Sequence, residues 1–257
     1  MSVTVAKTAG FCFGVRRAVE LAEEQAHEHG SIYAYGEIIH NMHEIERLEK
    51  MGVHTAHTIE EIPDGERVLI RAHGVPRAVY DAFRAKNCEI FDATCPFVHK
   101  IHRIVDKESR AGRLIVILGK EGHPEVEGIR GWCGESVVID GEQAAQTFAD
   151  AFNPADRPVS MVAQTTVNRT IWNISVSILK KRCTNLKIFD TICKATDERQ
   201  SEARLLAGSC EQMIVIGDRK SSNTKRLYEI SRSLCSNVLY IEDAAELTTQ
   251  ELLHRHG

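Results

Sequence analysis

Residues 89–123 read EIFDATCPFVHKIHRIVDKESRAGRLIVILGKEGH, and the order of signals in this stretch decides the fold. A β-branched, aromatic run, EIFDA, leads to Cys95, and Pro96 follows at a position suited to a first helical turn. Phe97, Ile101, Ile104 and Val105 then recur on one face of a predicted helix that ends at Ala111-Gly112. The run RLIVILG (113–119) reads as a buried strand closing in Gly119, and His123 stands four residues beyond it. Strand, cysteine, helix, strand, glycine and polar residue together make one α/β unit.

Reading outward, the same order recurs on both sides. Cys12 precedes a helical face of Val15, Ala18, Val19 and Ala22, then the strand SIYAYG (31–36), Gly36 and His40. Cys193 precedes a helical segment, then QMIVIG (212–217), Gly217 and Ser221. Cys12 to His40, Cys95 to His123 and Cys193 to Ser221 each span 28 residues, the mark of an internal triplication. Further strand candidates are VTVA (3–6), RVLIRA (67–72), PVSMVAQ (158–164), KIFDTI (187–192) and NVLYIE (237–242). Strand–helix alternation with short connections predicts an α/β fold of three pseudo-repeated lobes with largely parallel sheets. The lobes are expected at 10–94, 95–191 and 192–257, with 1–9 added to the third. In the first two repeats a second strand also ends in a polar residue, His73 and Thr165. The third repeat should supply its counterpart near 254–263, and the sequence runs to Gly257, so the third lobe is expected to be shortened at its C-terminal end.

Composition narrows the function. With 43% hydrophobic and 26% charged residues, the 257-residue chain has ordinary globular content. A net charge of −4 argues against a broad nucleic-acid-binding face. The longest clean apolar run, LIVIL (114–118), is far too short for a bilayer, and MSVTVAKTAG has no signal-peptide pattern. Eight cysteines without a C-x-x-C read as reduced thiols, and the expectation is a cytoplasmic protein with no membrane or nucleic-acid partner.

Functional groups of parallel α/β units gather at the carboxyl ends of the strands. Three repeats would therefore aim Cys12, Cys95 and Cys193 at one centre, each near a helix N-terminus that favours a thiolate. Three thiolates suggest a metal. A zinc ion with three protein ligands keeps an open position. An iron–sulfur cluster usually takes four cysteines, so three on a four-iron cluster would leave one iron open as a Lewis acid. The surrounding polar tips, His40, His73, His123, Thr165 and Ser221, suit a many-oxygen anion such as a diphosphate, and SSNTKRL (221–227) reads as a loop opening a helix toward it. Cys88, Cys133, Cys183, Cys210 and Cys235 read as small apolar core residues. No role falls to His27, His29, His54, His57, His99 or His102, and Arg16 and Arg17 read as a solvated helix face.

The segments GFCFGVRRAVE, YGEIIHN, RAHGVP, DATCPFVHK, GHPEVEG, AQTT, DTICKATDERQ and IGDRKSSNTKRL, in this order from residue 10 to about 227, closely resemble the 4-hydroxy-3-methylbut-2-enyl diphosphate reductase family of the non-mevalonate isoprenoid pathway. The resemblance implies an α/β trefoil around a central [4Fe-4S] cluster held by Cys12, Cys95 and Cys193. It implies that His40, His73, His123, Ser221, Ser222 and Asn223 bind the substrate diphosphate. It makes Glu125 the proton-supplying residue, with Thr165 beside the substrate hydroxyl. The implied reaction is a reductive dehydration to isopentenyl and dimethylallyl diphosphate. Two electrons would come from a ferredoxin or flavodoxin, and the substrate oxygen would sit on the open iron. Family members continue into a strand and a Ser-containing turn that this sequence lacks. That leaves a non-catalytic cluster protein in redox or iron sensing as an alternative, and a zinc-stabilised α/β protein as a plainer one.

Overall fold

A computed structural model of the chain describes residues 2–153 and 157–247. The residues group into two compact units. The larger holds 11–39 and 43–193, and the smaller holds 2–10, 40–42 and the described part of 194–257.

The larger unit contains two four-stranded parallel sheets. In the first, α1 (Phe13–His29) leads to β1 (Ile32–Tyr35), α2 (Met42–Lys50), β2 (Val53–Ala56), β3 (Arg67–Ile70), α3 (Arg77–Ala85) and β4 (Glu89–Asp92), with strand order β2-β1-β3-β4. In the second, α4 (Pro96–Arg110) leads to β5 (Leu114–Leu118), α5 (Pro124–Arg130), β6 (Ser136–Ile139), α6 (Glu142–Ala151), β7 (Val159–Ala163), α7 (Arg169–Arg182) and β8 (Leu186–Ile188), ordered β6-β5-β7-β8. All ladders are parallel, with Ile32 opposite Val53 and Leu114 opposite Val159. Each sheet is covered on both faces, as crossover helices require. Leu69 enters one core and its neighbours Val68 and Ile70 another, while Leu114, Val116 and Leu118 oppose Ile115 and Ile117 in the same way. β5 and β7 are buried at every position, which explains continuous apolar runs in place of alternation.

At the start of β5 a charged group is sealed into this unit. Arg113 Nε donates to Ser160 Oγ at 2.7 Å, and its Nη1 donates to Asn185 Oδ1 at 3.0 Å. Glu108 accepts from Ser160 Oγ at 2.9 Å and from Lys187 Nζ at 3.0 Å. A buried arginine is tolerable because every charge here is hydrogen-bonded.

In the smaller unit α8 (Lys194–Ala207), β9 (Met213–Ile216), α9 (Ser222–Arg232) and β10 (Val238–Ile241) form a two-stranded parallel sheet over Ala207, Val215, Cys235 and Val238. Residues before α1 are fastened to α8: Lys7 and Thr8 amides and the Thr8 hydroxyl reach the Glu202 carboxylate, and Arg199 donates to the carbonyls of Thr8 and Gly10.

The triplication is visible in the backbone. Gly36, Gly119 and Gly217 each donate to the last residue of the neighbouring strand, Ala56, Ile139 and Ile241, at 2.7, 2.9 and 2.9 Å. At two of them a side chain has no room. A Cβ on Gly119 would stand 2.8 Å from Val126, and one on Gly217 2.7 Å from Thr224 Oγ1.

Four sequence expectations change. VTVA (3–6) forms no strand and pairs with no sheet; the fastening to α8 falls on the residues after it, Lys7, Thr8 and Gly10. The strand expected at KIFDTI (187–192) starts one residue earlier and is shorter, β8 being Leu186–Ile188. β2 and β6 were not expected; both are edge strands, only partly buried, so their burial imposes a weaker apolar pattern. Phe97 is 44% exposed, and Val98, Ile101, His102 and Val105 make the buried face of α4. Phe97 lies in the first turn, before the helix has sunk into the core. The place expected for a further third-lobe strand, from 254 on, lies outside the described residues.

Candidate active site

Cys12, Cys95, Cys193, His73, His123, Glu125 and Thr165 all belong to the larger unit. Cys12 and Cys95 are the N-cap residues of α1 and α4, their carbonyls accepting from Arg16 and His99. Gly14 lies against the second sulfur: a Cβ there would stand 2.5 Å from Cys95 Sγ. The Cys95 thiol is pushed up to about 11, first by burial and also by the nearby Cys12 and Cys193, against the pull of the Phe97 and Val98 amides. The helix N-terminus alone therefore does not make this thiol a thiolate. An added cation would, since a metal deprotonates its thiol ligands. Three sulfurs at helix starts, with Cys95 near enough to feel both of the others, are a donor set that fits a thiophilic metal centre.

The strand ends deliver the polar groups beside the sulfurs. Cys95 N–H donates to the Ala72 carbonyl and Cys193 N–H to the Thr165 carbonyl, both at 3.0 Å. The backbone thus makes Ala72 the counterpart of Thr165, and His73 stands one residue past the position that strand endings suggested. His73 and His123 meet edge-to-face with ring centres 5.5 Å apart. The His73 loop is set by Gly74, where a Cβ would stand 2.6 Å from His102 Cε1. His102 is buried, stacks on Trp132 at 5.2 Å, and is driven down to about 3 by burial and His99, so its ring is neutral packing.

Glu125 is the decisive group. His123 caps α5 by accepting the Glu125 amide on Nδ1 at 3.1 Å, which orients both side chains. The Glu125 carboxylate is buried and receives the Thr165 amide at 2.6 Å and the Thr165 hydroxyl at 2.8 Å. Burial pushes it up to about 7 against those two bonds. A carboxyl that is half protonated near neutrality can store and release a proton.

The smaller unit carries His40, Ser221, Ser222 and Asn223. Ser221 caps α9, accepting the Thr224 amide at 3.3 Å, and Ser222 and Asn223 open the helix half-buried. Asp218 links this loop to residues 40–42: its carboxylate takes the Met42 amide at 3.2 Å and the Lys220 amide at 2.6 Å, while its carbonyl takes the Ser221 amide at 3.0 Å. Sequence reading passed over Asp218 and Gly14. The first had only its place after Gly217 as a signal, the second only its place two residues after Cys12. Of the five background cysteines, Cys183 and Cys235 are buried core residues, and Cys88, Cys133 and Cys210 pack half-buried against the cores. Among the described residues no helix is long and apolar enough to cross a membrane.

Comparison with known proteins agrees across the chain. A family model described as LytB protein matches residues 3–256. The 4-hydroxy-3-methylbut-2-enyl diphosphate reductase of Caldanaerobacter subterraneus subsp. tengcongensis is 37% identical, over 98% of this chain and 88% of that protein. The protein of the same name from Aquifex aeolicus is 39% identical, over 96% of this chain and 85% of its own length. A solved structure of (E)-4-hydroxy-3-methyl-but-2-enyl diphosphate reductase, described as the terminal enzyme of the non-mevalonate pathway, superposes with a TM-score of 0.72 at 38% identity, covering 97% of this chain and 89% of that one. The Plasmodium falciparum E-1-hydroxy-2-methyl-but-2-enyl-4-diphosphate reductase gives 0.87 at 28% identity, covering 96% and 77%.

Proposed function

This chain belongs to the LytB protein family, and from that premise we propose that it is a 4-hydroxy-3-methylbut-2-enyl diphosphate reductase. The reaction takes the allylic alcohol diphosphate, two electrons and two protons to isopentenyl or dimethylallyl diphosphate and water. Cys12, Cys95 and Cys193 would hold a [4Fe-4S] cluster, which when bound would relay the electrons and offer a Lewis-acidic iron. The observation that carries the reading is the Glu125–Thr165 pair, because the Thr165 carbonyl also holds the amide of Cys193. A proton source and a sulfur ligand are thereby fixed to the same strand end.

The side chains divide the work. Protonated Glu125 gives its proton to the departing hydroxyl, so that water leaves in place of hydroxide. Thr165 holds the carboxyl in position through its hydroxyl and amide. His40, His73, His123, Ser221, Ser222 and Asn223 hold the diphosphate, whose charge suits the amides at the start of α9. Hydroxyl, amide and imidazole groups can hold a many-oxygen anion without a compensating buried cation. The electrons come from a ferredoxin or flavodoxin. Anaerobic turnover with dithionite-reduced methyl viologen tests the reading. The unaltered protein should convert substrate, and Glu125→Gln should keep its iron content and visible absorption while losing turnover. Normal turnover by that variant removes Glu125 from the chemistry.

A further inference from the structure

The proposed reaction consumes two electrons that the polypeptide does not itself hold, and electrons tunnel efficiently only over short distances. The surface nearest the sulfurs has the character of a docking face. Phe11 and Phe13 flank Cys12 in the chain and are 37% and 64% exposed, and Phe97, two residues after Cys95, is 44% exposed. Large aromatic side chains this open are unusual on a monomer surface and mark interaction sites when grouped. α1 and α4 meet here, with Gly14 against Cys95 Sγ and Arg17 donating to the Thr94 carbonyl at 3.3 Å and the Asp92 carbonyl at 3.1 Å.

Charge gives this face its sign. A groove of about 350 Å³ between α1 and the start of α4 is lined by Arg17, Thr94, Pro96, His99 and Arg103. Arg16, Lys100 and Arg103 are exposed, and among the described residues none of the three makes an ion pair. The carboxylates nearest in sequence on α4 and its approach are already engaged, Asp92 by Tyr80 and His99 and Asp106 by Arg77 and Arg110. Glu20, one turn beyond Arg16, is the nearest acidic residue along α1. The chain as a whole carries −4, so an acidic protein is repelled in general and attracted only where cations are left unpaired.

We propose that the face formed by the N-terminal halves of α1 and α4, with its exposed phenylalanines and the Arg16, Lys100 and Arg103 cations, docks a small acidic one-electron carrier protein. This rests on the reductase reading and adds the surface through which it is reduced. The carrier is oxidised by one electron at each encounter, so two encounters complete one turnover, and both protons come from solvent through the enzyme. A transient, electrostatically steered contact with a small apolar centre is the form such an interface takes.

The test uses an acidic plant-type [2Fe-2S] ferredoxin as the probe and Lys100→Glu/Arg103→Glu as the variant. Calorimetric titration at low salt should show ferredoxin affinity weakened about tenfold or more. Affinity of the unaltered protein should fall steeply with added salt. Turnover with dithionite-reduced methyl viologen should be unchanged, which also establishes that the variant is folded. Arg103→Gln alone should give a smaller loss of affinity in the same direction. Lys180→Glu/Lys181→Glu, on the exposed last turn of α7, should bind ferredoxin as the unaltered protein does. Unchanged ferredoxin affinity in the double variant, an equal loss in the α7 control, or salt-independent binding overturns the docking face. Absence of viologen turnover in the unaltered protein overturns the reductase reading instead, and the binding measurement still decides the face.

Discussion

Replacing Glu125 by Gln should change how stability depends on pH. The carboxyl is displaced from 4.5 to about 7, chiefly by burial. Between those values the folded protein binds a proton that the unfolded chain has released, so stability falls as pH rises across this window and is flat on either side. A shift of about 2.5 units at 1.36 kcal/mol per unit makes the loss about 3 kcal/mol, a large share of an ordinary domain's stability. Glutamine has the same shape. Its carbonyl can accept the Thr165 amide and its NH₂ can donate to the Thr165 hydroxyl, so the two contacts at 2.6 and 2.8 Å are retained. It does not ionise, so the fall is absent. Urea unfolding of both proteins, freed of metal, at pH 5 and pH 8 gives four midpoints. Because the unfolded carboxyl is already largely ionised at pH 5, the loss from pH 5 to pH 8 should be about 2.5 kcal/mol larger in the unaltered protein. Other carboxylates, such as Asp92, held low by His99, Thr94 and Tyr80 although burial pushes it up, act alike in both proteins and cancel. Equal losses in the two proteins refute the claim that Glu125 is buried as an acid.

Three further outcomes rest on separate contacts. Thr165→Val removes the hydroxyl that pulls Glu125 down, so the pH above which viologen-driven turnover declines should move upward from about 7; an unmoved or lowered limb contradicts the pairing. Gly14→Ala puts a methyl 2.5 Å from Cys95 Sγ and should lower iron bound per chain after anaerobic reconstitution with little change in helical circular dichroism. Full iron loading would mean that the sulfur has room to move. Arg113→Met leaves Glu108 with Lys187 and Ser160 but without its buried guanidinium partner. It should cost about 3 kcal/mol of unfolding free energy by urea titration, and a neutral result would show that hydrophobic replacement compensates fully.

The architecture was legible because its signals are local. LIVIL and VSMVA are continuous apolar runs since crossover helices cover both sides of a parallel sheet. Pro96 starts α4 where its missing N–H has no cost. Glycines 119 and 217 mark where a strand end meets the next helix too closely for a Cβ. The strands β2 and β6 were not legible, because each lies at a sheet edge where only part of it is buried and neither a continuous nor an alternating apolar pattern is imposed. Phe97 misled because helical periodicity assigns a face but not the depth of the first turn.

Sequence alone determined the alternation of strands and helices, the threefold spacing of 28 residues and the placing of three cysteines at helix starts, since chain stiffness and turn chemistry act over a few residues. Only the tertiary structure decided which side chains share an environment. Glu125 becomes an acid near neutrality because Thr165, 40 residues away, is brought against it where water is excluded. Ala72 takes the place expected of His73 because strand register is set by the partners across the sheet. Burial and pairing depend on residues distant along the chain, and no local pattern records them.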